Sequence, residues 1–326
     1  MDKYDHTYYS YRAREKLASL GREVKEDIVV DMDLPTAGEQ EFEGIPVQEE
    51  PLPFEAGEEE KLVDSGGSYM KAANIKDHFK KYTELMAVGF YDEAAKEASL
   101  LVGSSPEDKK NSARLALGIA QLASGKVRDS IIYAENMCNN SIASGTSRGL
   151  SRQTWQLAYP KGFYGHVSQY AAQYGIEEPL VLAVIREESR FNPKTTSWAN
   201  ARGLMQIIPQ TGRNVARLAG IKSYYTGKLH DPEVNIKMGC YYLSHLMKRF
   251  DGNIYYVLAA YNGGPLRAKN WINKWKIEVG ENIDLDEFVE SIPLSETKRY
   301  VQKVIKSYYE YKRLYTHKYP VIQTKG

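Results

Sequence analysis

Residues 26–66 cannot contribute to a hydrophobic core, and that stretch constrains everything else the chain can build. From Glu26 to Asp64 the only basic residue is Lys61, set among many carboxylates. Prolines stand at Pro35, Pro46, Pro51 and Pro53, and the stretch runs out in Ser65-Gly66-Gly67-Ser68. Such a segment buries too little apolar surface to offset the entropy of ordering it. The expectation is an extended acidic linker over residues 26–68. It divides the chain into a short helical piece at 1–25, an α-helical repeat-like linker domain at 69–150 and a C-terminal domain at 151–326.

The other segments are punctuated as helices. Gly89-Phe90-Tyr91-Asp92-Glu93-Ala94-Ala95 recurs in outline as Gly125-Lys126-Val127-Arg128-Asp129-Ser130-Ile131, a glycine-opened helix at the spacing of paired-helix repeats. Glu178-Pro179 and Asp231-Pro232-Glu233 read as helix starts, with proline tolerated in the first turn. Asn262-Gly263-Gly264-Pro265 reads as a stop. Ile236, Cys240, Leu243, Met247 and Phe250 follow the helical period, and Glu296–Tyr315 is a long amphipathic helix. Strand signals are sparse, so the fold class is mainly α.

Charge and apolar content remove several functional classes. The longest apolar run, around Leu180–Ile185, is far below the ~20 residues that span a bilayer, so no membrane-spanning role is expected. The formal net charge of +1 conceals an acidic linker and a basic C-terminal half. A basic domain suits an anionic polymer. Nucleic acid is not the expected one, because the chain lacks the basic–aromatic interleaving of the recognised modules. Cys138 and Cys240 have no metal-ligand spacing and read as two buried thiols, with one interdomain disulfide left open. No metal or cofactor is expected.

Glu188 carries the chemistry. It ends the apolar run Leu180-Val181-Leu182-Ala183-Val184-Ile185, and the next 42 positions, up to Asp231, hold no Asp or Glu. A glycosidase with two carboxylates needs a partner for its acid, and the obvious place for one is empty. An apolar setting raises a carboxyl pKa and keeps the proton available for donation. Glu187 has almost as apolar a neighbourhood, and periodicity does not separate the two.

Glu188-Ser189, Gly203-Leu204-Met205-Gln206, Ala260-Tyr261-Asn262 and the segment Glu290-Ser291-Ile292-Pro293 to Ser295-Glu296-Thr297 follow in that order. Over roughly residues 155–315 the chain resembles the catalytic domain of the soluble lytic transglycosylases, enzymes with a goose-lysozyme-like fold that cut peptidoglycan. The resemblance implies a lysozyme-like catalytic domain preceded by repeat-like helices. It selects Glu188, the Glu directly before Ser, as acid and then base in cleaving the MurNAc–GlcNAc β-1,4 bond, with closure of a 1,6-anhydro ring. It also implies substrate contacts from Ser189, Gln206, Tyr261, Asn262, Glu290 and Tyr311. Ser189 could instead back-bond into its helix, and Tyr308, Tyr309 and Tyr315 compete with Tyr311. Ile208 stands where many relatives have Met.

A muramidase, in which water replaces the C6 hydroxyl, and an inactive wall-binding scaffold are the alternatives. The implied partners are peptidoglycan strands, with envelope proteins on the helical repeats, and the implied location is the periplasm or cell envelope. No signal peptide follows Met1, and Tyr8-Tyr9-Ser10-Tyr11-Arg12-Ala13-Arg14 resembles the segment after the family's superhelix. The expectation is a fragment lacking that superhelix, or a short family member.

Overall fold

The computed structural model describes residues 7–19, 66–106, 109–143, 150–280 and 284–316. The described residues form helices joined by short turns, with only two isolated bridges, Thr196–Arg202 and Arg202–Ile207. The mainly α class expected from the sequence holds. The chain separates into two compact units, one of residues 31–160 and one of residues 1–30 with 161–326. Nearly all of the expected linker lies outside the described residues, and its last three residues, 66–68, open a helix.

The smaller unit is a run of helices packed neighbour on neighbour: α2 (Gly66–Ala87), α3 (Tyr91–Ser104), α4 (Lys110–Ala123), α5 (Val127–Ala143) and α6 (Arg152–Ala158). Its core is rich in alanine, with Ala94, Ala98, Ala113, Ala116 and Ala120 buried beside Leu101 and Tyr82. Small side chains let the helix backbones approach closely. The two glycines of the sequence repeat share one turn geometry. Gly89 and Gly125 both take positive φ (81° and 78°) and both close Schellman turns. In these turns Phe90 N–H donates to Leu85 O at 2.9 Å, and Lys126 N–H donates to Gln121 O at 2.9 Å. Lys126 then pairs with Asp92 at 2.8 Å, tying one repeat to the other.

The larger unit holds α1 (Tyr8–Ser19), α7 (Tyr164–Tyr174), α8 (Glu178–Ser189), α9 (Pro209–Leu218), α10 (Pro232–Arg249), α11 (Ile254–Gly263), α12 (Pro265–Val279), α13 (Leu285–Ser291) and α14 (Ser295–Tyr315). The starts and stops follow the sequence signals. Asp231 Oδ1 accepts from Val234 N–H at 3.0 Å to cap α10, and Gly264 at φ 92° separates α11 from α12. Helix α8 is apolar on every side, as a central helix must be. Leu180 to Ile185 are all buried, each side chain contributing about 1.5–3 kcal/mol by leaving water. Charged residues pin its start: Glu178 accepts from Tyr164 and Ser168, both at 2.6 Å, and Glu177 accepts from Tyr308 at 2.9 Å.

The first helix does not stand apart as a separate piece. Its tyrosines meet carboxylates of the larger unit: Tyr8 donates to Asp286 at 2.9 Å, Tyr9 to Glu290 at 2.7 Å and Tyr11 to the fully buried Glu310 at 2.7 Å. Arg12 Nε adds a 2.7 Å ion pair with Asp286, and Tyr11 stacks on Tyr309. Phenol–carboxylate bonds and ring stacking explain why so polar a helix docks. Cys138 and Cys240 are both buried.

Candidate active site

Three pieces of chain meet at the C-terminal end of α8. Glu188 is partly exposed there, while Val184 and Ile185 behind it are fully buried. Its carboxyl pKa is pushed up to about 8, chiefly by burial. The Tyr300 hydroxyl opposes this by favouring the charged form, and the charges of Glu187 and Glu296 add to the rise. Burial thus favours the protonated form of Glu188 at neutral pH.

Glu187, which periodicity left as a rival, is committed elsewhere. Its carboxylate pairs with the buried Arg186 and accepts from Ser307 Oγ at 2.6 Å. With a guanidinium and a hydroxyl already on its oxygens, the Glu187 carboxylate is engaged within the fold. The helix ends abruptly after Ser189, with Arg190 and Phe191 both at positive φ (48° and 59°). Left-handed geometry at two successive non-glycine residues costs on the order of 1–3 kcal/mol each. Full burial of Phe191 holds it in place.

The second piece is the Gly203–Gln206 turn, held by a residue the sequence reading missed. Asn235, completely buried on α10, accepts from Met205 N–H at 2.7 Å and donates to Arg202 O at 2.9 Å and Leu229 O at 2.7 Å. Gly203 sits against it at φ 77°, where a Cβ would overlap the Leu229 carbonyl oxygen and the Asn235 amide. The only sequence hint was a polar residue inside the apolar face of α10. Gln206, itself at φ 46°, turns its amide nitrogen inward to Gly203 O at 2.8 Å and Thr195 O at 3.2 Å. That orientation leaves its amide oxygen as the group able to meet a ligand.

The third piece is a pair of tyrosines. Tyr261 donates to Met205 O at 2.7 Å, linking α11 to the turn. Burial first, then the charge of Glu188, drives the Tyr261 phenol well above its ordinary pKa. Tyr300 on α14 is raised for the same two reasons and is buried without a hydrogen bond of good geometry, near the Glu188 carboxyl. Asn262 faces the same helix, accepting from Thr297 Oγ1 at 2.7 Å through its side-chain oxygen. Its amide N–H groups are the part it can offer.

Three expected contact residues lie differently. Ser189 is only 7% exposed and donates to Ile185 O at 3.1 Å, the back-bonded role. Tyr311 is completely buried and stacks on Tyr315. It stands three turns beyond Tyr300, about 16 Å along α14, where Tyr308 meets Glu177 at the opposite end of α8. The tyrosine of the C-terminal helix beside Glu188 is therefore Tyr300. The helical period places Tyr300 and Tyr311 on one face but does not say which end of an antiparallel partner each meets. Glu290 is exposed and bonded to α1 and α14, accepting from Tyr9 at 2.7 Å and Gln302 at 2.9 Å. The Tyr9 bond and the charge of Lys298 lower its pKa. Among the described residues no group of three His, Cys, Asp or Glu could hold a metal ion.

A protonated carboxyl group in an apolar wall, flanked by buried phenols and a rigid polar turn, can deliver a proton to a glycosidic oxygen. Residues 166–283 match the family model of the transglycosylase SLT domain. This region is a transglycosylase SLT domain. The chain is 37% identical over 156 residues to the soluble lytic murein transglycosylase of Escherichia coli K12, covering 47% of this chain and 24% of that protein. It is 33% identical over 171 residues to the membrane-bound lytic murein transglycosylase C of Sodalis glossinidius, covering 46% and 47%. The crystal structure of the 70 kDa soluble lytic transglycosylase of E. coli superposes with a TM-score of 0.52 at 29% identity, over 78% of this chain and 37% of that one. The chain thus spans a quarter to a half of the length of these curated relatives. Its SLT domain has the expected mainly α, lysozyme-like fold.

Tyr300→Phe gives a specific expectation for this domain. Removing the hydroxyl that favours the charged carboxyl raises the Glu188 pKa further, by up to about one unit. For a reaction that needs the protonated acid, the alkaline limb of the pH profile then moves upward. A pH–activity profile of the variant beside the wild type checks it, and a downward move would mean that the phenol does not act on Glu188.

Proposed function

We propose that the chain is a peptidoglycan lytic transglycosylase that works at the cell wall, in the envelope. The observation that carries this reading is the Glu188 carboxyl at the end of the apolar helix α8, beside Tyr261 and Tyr300, with Glu187 already tied to Arg186. Glu188 donates its proton to the oxygen linking N-acetylmuramic acid to N-acetylglucosamine. The C1–O bond breaks, the glucosaminyl end leaves as an alcohol, and an oxocarbenium-like muramyl C1 remains, stabilised by the substrate's own groups. The ionised Glu188 then takes the proton of the muramyl C6 hydroxyl as its oxygen bonds to C1. A 1,6-anhydro ring closes and the acid is restored. An intramolecular nucleophile has a high effective molarity when the ring is held in place, and the Gln206 amide oxygen and Asn262 amide N–H groups are the holding contacts. Tyr261 and Tyr300 form the wall that keeps water from the carboxyl group. The helices of the smaller unit are available for envelope protein partners.

Mass analysis of soluble products from purified peptidoglycan tests the reading. Muropeptides lighter by one water than the reducing forms are expected. Reducing ends would replace the transglycosylase by a muramidase on the same acid.

A further inference from the structure

We infer that Trp198 is a sugar-stacking platform on the rim of the Glu188 cleft, a subsite for the glycan strand beyond the residues at the scissile bond. The inference rests on the glycan-cleaving reading of that site. Trp198 is 92% exposed, the most exposed of the large apolar residues described. It does not sit on a loose segment. Ser197 N–H donates to Ala201 O and Asn200 N–H to Ser197 O, both at 2.9 Å, and Ala201 N–H donates to Ser197 Oγ at 3.1 Å. Asn200 takes φ 61°, and its side-chain oxygen accepts from Arg202 Nε and Nη2 at 3.1 and 3.0 Å. The indole is therefore displayed from a turn whose backbone is held by its own hydrogen bonds.

The turn is continuous with the site. Thr195 O, three residues before Trp198, accepts from both Gly203 N–H at 2.9 Å and the Gln206 side-chain amide at 3.2 Å. Arg202 bridges to Thr196 on one side and to Ile207 on the other, so the indole and the Gln206 turn belong to one rigid loop. The chemistry of the surroundings selects the occupant. Thr196, Ala199 and Asn200 beside it are exposed and small or polar. A protein or lipid partner would call for a contiguous apolar patch. A hexosamine instead offers one flat C–H face to an aromatic ring and a rim of hydroxyl and amide groups to polar neighbours.

The test uses the full chain carrying Glu188→Gln, so that binding is read without turnover. Chitotetraose, an oligomer of N-acetylglucosamine, is titrated while tryptophan fluorescence and heat are followed, with and without Trp198→Ala or Trp198→Phe. A saturable fluorescence change that vanishes in both variants is expected. The calorimetric affinity should fall about tenfold in Trp198→Ala and stay near the parent value in Trp198→Phe. Equal affinities in all three proteins, or no oligomer binding at all, would overturn the platform. Oligomer binding that depends on Trp198 in a chain whose native form cleaves no peptidoglycan would retain the platform and sink the enzymatic reading. Normal cleavage with a Trp198-independent affinity would do the reverse.

Discussion

Glu188→Gln is expected to lower the rate of peptidoglycan cleavage by about a thousandfold or more, the upper part of the range for one acid–base group, because in the proposed reaction the same carboxyl acts in both halves. The amide keeps the shape and the polar contacts, so the fold should persist. A pH-dependent stability difference accompanies the loss. The folded pKa of Glu188, about 8, lies above that of a carboxyl group in an unfolded chain, about 4.3. Below pH 4 both states hold the proton, and wild type and variant should melt alike. Between these two pKa values the folded state binds the proton and the unfolded state releases it, so wild-type stability falls as pH rises. At pH 9 the variant, with no charge to bury, should melt several degrees higher than wild type. Melting curves from pH 4 to 9 with a turbidity assay on sacculi measure both effects. Near-normal lysis by the variant would remove Glu188 from its role.

The second large effect is expected at Gly203. Gly203→Ala places a Cβ where the Leu229 carbonyl oxygen and the Asn235 amide already stand, in a φ region that disfavours any side chain. To make room, Asn235 must give up bonds to Arg202 O and Leu229 O; Arg202 O keeps the Ile207 N–H, but Leu229 O loses its Asn235 donor. The cost is roughly 3 kcal/mol, about 10 °C in Tm for a domain of this size. Met205 is held by Asn235 on one side and Tyr261 on the other, so displacing the turn also displaces Gln206 and the tyrosine. Cleavage should fall at least a hundredfold. Thermal unfolding and the same turbidity assay check it, and an unchanged Tm with unchanged activity would mean that this turn is not pinned from α10. Asn235→Ala offers a separate reading of the same bonds, since it removes the partner without adding bulk.

Much of this architecture was legible because its signals are local. Proline in a first turn, Asp231 before Pro232 and glycine after an apolar helix fix helix ends through backbone bonds within a few residues. The two glycine turns of the smaller unit were visible as a repeat for the same reason. The setting of Glu188 was legible too, since an unbroken apolar run after the Glu178-Pro179 helix start is a buried segment and a carboxyl group at its end must feel that interior.

What escaped was everything decided by contacts distant in sequence. Asn235 and Met205 meet across 30 positions, and nothing in either local pattern points to the other. Tyr8, Tyr9 and Tyr11 looked like part of a separate helix until Asp286, Glu290 and Glu310 were seen to meet them from the far end of the chain. The sequence by itself determined the helices and put a carboxyl group at the end of the apolar run of α8. Only the tertiary structure decided which of two adjacent glutamates is free, which tyrosine of α14 stands beside it and what fixes the turn opposite. Helix formation follows from neighbours along the chain, whereas a pKa and a pinned loop follow from neighbours in space.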